Sequence, residues 1–172
     1  MQNHLESNVE NHQNTAILPG LEMINEITAW WQRSQIELQC RYTARLMKRF
    51  GCFEQCVAEH FRFHPMPASI DEMASQFLSS IEQSSDPLLS AVARFELARL
   101  SPPSANQTRI IFWDRDPDQV MVALNGSTNL PRPELNMRYV MRIGAGVPGG
   151  MSCTREKAPS WDSPAMAGSR VQ

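Results

Sequence analysis

Cys52, Cys56, His60 and His64 recur at steps of four, a pattern that on one helix lines up two thiols and two imidazoles. Such groups bind transition metals, zinc above all. Each four-residue step also advances about 6 Å along a helix axis, so four in a row cannot meet at one ion. Two neighbours could share a metal only with ligands from elsewhere. The same stripe includes apolar Phe53 and Val57, and buried cysteines act as small apolar side chains. The expectation is therefore a buried helix face. A small metalloprotein is the rival reading, and no metal ligand is assigned.

The remaining candidates carry less chemistry. Asp114, Asp116 and Asp118 start a calcium-loop spacing but lack the glycine at its sixth position and the glutamate at its twelfth. Asp116 before Pro117 reads instead as a helix cap. Gly144-Ala145-Gly146 and Gly149-Gly150 lack the strand-to-helix setting and the lysine of a phosphate loop. No nucleophile-elbow motif is present, so no catalytic residue is assigned. Arg33, Arg41, Arg45, Lys48, Arg49 and Arg62 form a basic surface partly offset by Glu37, Glu54 and Glu59. It reads as a solvated face, or as contact with an acidic partner or with phosphates.

The elements that would position these groups follow from periodicity. Residues 1–16 are polar and read as a mobile tail. From near Ile17, Leu21, Ile24, Ile27, Trp30 and Trp31 recur at helical steps and give one apolar face. A second helical pattern runs through Ile36, Cys40, Thr43, Met47 and Phe50 to a break at Gly51. A third spans Phe53 to Phe63, with Phe53, Cys56, Val57, His60 and Phe61 inward, and ends at His64-Pro65. Ser69 and Glu72 form a capping box for a helix carrying Ile70, Met73, Phe77, Leu78 and Ile81. Asp86-Pro87 opens a helix to Leu100 that is apolar on more than one side and holds Arg94 and Glu96. This helix is expected at the centre of the bundle.

Residues 101–107 read as a linker and domain boundary. Beyond it, Arg109 to Trp113 is strand-like, Asp116-Pro117 starts a short helix closed by Asn125-Gly126, and Leu135 to Ile143 alternates as a second strand. Leu135, Met137, Tyr139, Met141 and Ile143 share one face, with Asn136, Arg138, Val140 and Arg142 on the other. Residues 146–172 read as a flexible tail. The fold class is α+β, with a helical domain over 17–100 and a small β-α-β module over 107–145. A small sheet exposes an edge, and an edge accepts a peptide as a further strand. Arg138, Tyr139, Val140, Met141 and Arg142 are the expected peptide edge, flanked by Phe112 and Trp113, with the arginines favouring an acidic peptide.

The bulk numbers bound the function. A chain of 172 residues with 42% hydrophobic content is long enough for a packed core, and its net charge of −2 argues against a strongly cationic nucleic-acid binder. There is no apolar run of 18 residues and no secretory signal pattern at the N-terminus. Four irregularly spaced cysteines do not make a disulfide framework. A cytoplasmic protein with free thiols and no membrane contact is expected.

Several segments carry a resemblance. Gln39-Cys40-Arg41-Tyr42, Phe50-Gly51-Cys52-Phe53-Glu54, Phe61-Arg62-Phe63-His64-Pro65, the Ser69 cap, and Leu89-Ser90-Ala91-Val92-Ala93-Arg94-Phe95-Glu96 resemble the N-terminal helical domain of partner proteins of multinuclear non-haem iron-dependent oxidases. These act in the biosynthesis of ribosomally made, modified peptides. The likeness spans roughly residues 35–100. The smaller C-terminal unit is similar to the partner subunits of the methanobactin and 3-thiaglutamate (pearlin-type) oxidases. The resemblance implies a non-catalytic subunit in a heterodimer with an iron-holding barrel. The chain would carry no cofactor, bind the leader of a precursor peptide, and present its cysteine for excision of the β-carbon. Docking would use the helical domain, with Arg45 and Arg49 as interface residues and with Arg94 and Glu96 either fixing the domain by pairing or lying at that interface. The polar N-terminal tail and the Cys52/Cys56 pair depart from that pattern. The alternative function is a DNA-binding regulator using the basic helices.

Overall fold

The computed structural model describes residues 19–64, 66–126 and 128–158. The tail expected at 1–16, and residues 159–172 of the tail expected at 146–172, lie outside them. Five helices come first: α1 (Pro19–Gln39), α2 (Arg41–Phe50), α3 (Phe53–Phe63), α4 (Ile70–Ile81) and α5 (Pro87–Leu100). Strand β1 (Thr108–Trp113), helix α6 (Pro117–Asn125), strand β2 (Met137–Gly144) and strand β3 (Met151–Lys157) follow. The fold is α+β, with a three-stranded antiparallel sheet ordered β1-β2-β3.

Local chemistry sets most helix ends. Ser69 Oγ accepts the Glu72 amide at 3.1 Å, while the Glu72 carboxylate accepts from Gln76 rather than closing the expected box. Asp86 Oδ1 accepts the Leu89 amide at 2.8 Å, and Asp116 Oδ1 accepts those of Asp118 and Gln119. Gly51 ends α2 at φ 69°, a left-handed conformation that glycine enters without a Cβ penalty.

The start of α2 has no local cap. Cys40 precedes it, and its thiol makes no capping bond to the helix. The cap comes from α5 instead. Glu96 Oε1 and Oε2 accept the amides of Tyr42 and Thr43, each at 2.7 Å. A buried carboxylate is costly unless it is hydrogen-bonded, and unsatisfied helix amides are costly too. Each offsets the other here. Burial still raises the Glu96 pKa above the ordinary carboxylate value, against the two amides that favour its charged form.

Helix α5 is central, as its two-sided apolar pattern predicts. Leu88, Leu89, Ala91, Val92, Ala93, Phe95 and Ala98 are buried, and α5 packs on α4, α2 and β1. Phe95 stands 6.2 Å from the Tyr42 ring and 6.3 Å from that of Trp113, so aromatic contacts run from α2 through α5 into β1. Ile111, Trp113, Val120, Leu124 and Met141 join the same hydrophobic cluster as the helical residues. Residues 101–107 are thus a connection laid over one shared core.

Three sequence expectations need correction. Helix α1 continues to Gln39, so Ile36 and Cys40 belong to its end and to the break after it. Leu135 is 92% exposed and lies outside β2, because Asn136 turns the chain at φ 61°. Residues 151–157, read as part of a flexible tail, form β3. Gly149 and Gly150 adopt positive φ in the turn that returns the chain onto β2.

Replacing Glu96 by Ala should strand two buried amides and remove a helix cap. The expected loss is about 3 kcal/mol, read as a fall of about 10 °C in Tm for a chain of this size. A shift below about 2 °C would show that the cap is dispensable.

Candidate functional site

The sheet holds most of the residues expected to bind a peptide, but not as an edge. Strand β2 pairs with β1 from Tyr139 to Gly144 and with β3 from Met137 to Ile143, so it is the central strand. From Tyr139 to Ile143 its backbone is paired on both sides. The strand that displaced it from the edge is β3, whose few apolar residues gave no alternating signal. Among the described residues, β1 and β3 each pair with β2 alone. Strand β1 lies against α5, whereas β3 packs chiefly on β2 and the turn before it.

Register divides the side chains between two faces. Trp113, Tyr139 and Arg155 lie across from one another, as do Ile111, Met141 and Cys153. This face meets the helices, and Trp113 and Met141 are buried. Trp113 cannot touch a ligand at the surface, and its indole Nε1 has no hydrogen-bond partner. Tyr139 donates its hydroxyl to Glu134 at 2.6 Å, and Arg155 pairs with the same carboxylate. Those bonds hold the Glu134 carboxyl below its usual range and raise the Tyr139 phenol.

The opposite face carries Ile110, Phe112, Arg138, Val140, Arg142, Ser152, Thr154 and Glu156. Arg138 lies over the Phe112 ring at 4.9 Å. Glu156 stands 3.5 Å from Arg138 and 3.7 Å from Arg142, so one carboxylate serves two guanidinium groups and leaves a positive excess. Val140 is buried between them. Ile110 and Phe112 are each about half exposed. Arg138 and Arg142 are therefore accessible side chains on the outer face, while Val140 and Met141 are internal.

The four residues expected at a partner interface have separate places. Arg49 donates to Ala123 O, Gly126 O and Thr128 O, and Arg45 donates to Leu124 O and Asn125 Oδ1, the last two at 3.0 Å. Both guanidinium groups satisfy the orphan carbonyls at the end of α6, where a positive charge also suits the helix dipole. They staple α6 onto α2 through donors to neutral carbonyl and amide oxygens. Glu96 is internal. Arg94 is half exposed, 3.9 Å from Glu82, and lines an open depression of about 380 Å³ with Leu97, Arg109 and Ile110. These contacts link residues about 80 positions apart, and no spacing in the sequence signals them.

Along α3, the His60 and His64 rings stack at 4.5 Å, and His64 Nδ1 lies 2.9 Å from the His60 carbonyl. His60 also packs edge-on against Phe61 and Phe77. Burial, with Cys52 beside it, pushes the Cys56 thiol up to about 11. Among the described residues, no three His, Cys, Asp or Glu side chains converge as a metal site would need. No helix among them is long and apolar enough to cross a membrane.

Comparison with known proteins finds no matching family model, no similar curated protein and no similar solved structure.

Burial, and the neighbouring His64, lower the His60 pKa to about 4. The unfolded chain takes a proton near pH 6.5, which folded His60 refuses until about pH 4. Stability should therefore be full above about pH 6.5 and fall as pH drops toward 4. His60→Phe should flatten the Tm profile in that window. An unchanged slope in the variant would assign the acid sensitivity to other groups.

Proposed function

We propose that this chain is a non-catalytic subunit that binds the leader of a ribosomally made precursor peptide. It presents the peptide's cysteine to a multinuclear non-haem iron-dependent oxidase, for 3-thiaglutamate-type excision of the cysteine β-carbon. The iron belongs to the barrel partner, and the complex works in the cytoplasm. The reading rests on the resemblance carried by residues 35–100. The observation that best supports it is the side of β3 with which no described residue pairs, beside an outer face with Arg138, Arg142 and Phe112.

The leader adds as a fourth strand along β3, held by main-chain bonds. Lys157 and the excess of Arg138 and Arg142 over Glu156 favour an acidic leader. Strand β2 acts behind it as the support of the sheet. The helical domain meets the oxidase on the α5 side, where Arg94 is accessible. Tethering the leader raises the local concentration of the attached cysteine at the iron site, so a subunit without catalytic groups governs turnover.

Co-purification with an iron oxidase encoded nearby is the first test, and failure to associate would remove this reading. For the peptide site, Lys157→Glu should weaken binding of the precursor by at least about fivefold, since one attraction becomes a repulsion. Fluorescence anisotropy with labelled precursor reads this directly. Arg138→Glu with Arg142→Glu should give a comparable loss while the far-ultraviolet circular dichroism is retained. Unchanged affinity in both variants would reject the sheet as the peptide site.

A further inference from the structure

Helix α1 carries a second apolar face that no other described residue covers. Every residue from Gly20 to Trp31 is exposed, and the first buried residue of the helix is Ile36. Three turns therefore extend clear of the body. At about 100° per residue, Met23, Ile24, Ile27, Trp30 and Trp31 fall on one arc, roughly opposite Ile36. Met23, Ile24, Ile27 and Trp30 are 57–62% exposed. A contiguous apolar stripe on a projecting helix marks an interaction surface. A short helix is also marginal alone in water and gains from packing.

We infer that this stripe joins two copies of the chain as an antiparallel helix pair. Charge along the stripe selects that occupant. Glu22 and Glu26 flank its first half, and Arg33 flanks the same side further on. A two-fold axis near residues 27–29 sets the acidic pair of one copy beside Arg33 of the other, twice over. Parallel pairing would set this charged flank beside the partner's uncharged flank of Thr28, Gln32 and Gln35 and leave the charges without partners. The body also joins α1 only at its C-terminal end, so antiparallel overlap of residues 20–33 leaves the two bodies at opposite ends without collision. The antiparallel dipoles attract as well. A membrane surface fits poorly, because an interfacial helix carries Lys and Arg on its polar face, whereas α1 carries three glutamates and one arginine.

The stripe is smaller than the roughly 800 Å² per partner of a standard interface, so the dimer dissociates in the micromolar range. Sedimentation velocity of the full chain from about 1 to 200 µM should show this association. Ile27→Asp should leave a monomer throughout with an unchanged Tm. Arg33→Glu should weaken the dimer at least tenfold, and adding Glu22→Arg and Glu26→Arg should restore it, since only an antiparallel pair exchanges those charges. The wild-type chain remaining monomeric at about 200 µM, or reversed charges that fail to rescue, would overturn the inference. It stands apart from the peptide-presenting role, which a monomer could equally perform.

Discussion

A single carboxylate holds the helical part together. Glu96 sits in the most buried helix of the chain and reaches the first free amides of α2. Without it, α2 would begin with unmet donors at half-buried Tyr42 and buried Thr43, and α5 would hide a charge with nothing to bind. The two problems cancel only if α2 and α5 meet in one register. That register sets Tyr42 against Phe95 and, through Phe95, sets Trp113 under the sheet. One internal hydrogen-bonded group thus fixes relationships that apolar packing alone would leave degenerate.

A second polar device works at the opposite end of α2. Arg45 and Arg49 occupy the carbonyls at the end of α6, so the sheet-bearing half is fastened to the bundle by polar bonds as well as by the shared core. Together, the carboxylate and the two arginines make α2 the hub between helices and sheet. The outer face of the sheet is left free of this work. Its arginines, ring and edge are held in place by the layers beneath.

Legibility in the sequence followed the range of the interaction. Ser69, Asp86, Asp116 and Gly51 act within a few residues, and each marked its helix end correctly. The two-sided apolar pattern of Pro87–Leu100 likewise announced the central helix. The Glu96 cap spans more than 50 positions and the arginine staples nearly 80, so neither had a local signature. Strand β3 was missed for another reason. An edge strand with one supported side needs little apolar alternation, and Met-Ser-Cys-Thr-Arg-Glu-Lys shows little. Missing it moved the expected edge onto the strand that β3 covers. The periodicity of α1 gave an apolar face but not the direction in which it points.

The shared core has a consequence for the connection at 101–107. That segment crosses from α5 to β1, yet the elements it links already grip one another through Phe95, Trp113 and the staples on α6. Severing it would not release two free-standing halves. The pieces would behave like a split reporter, each incomplete alone and each serving as the template on which the other regains its shape.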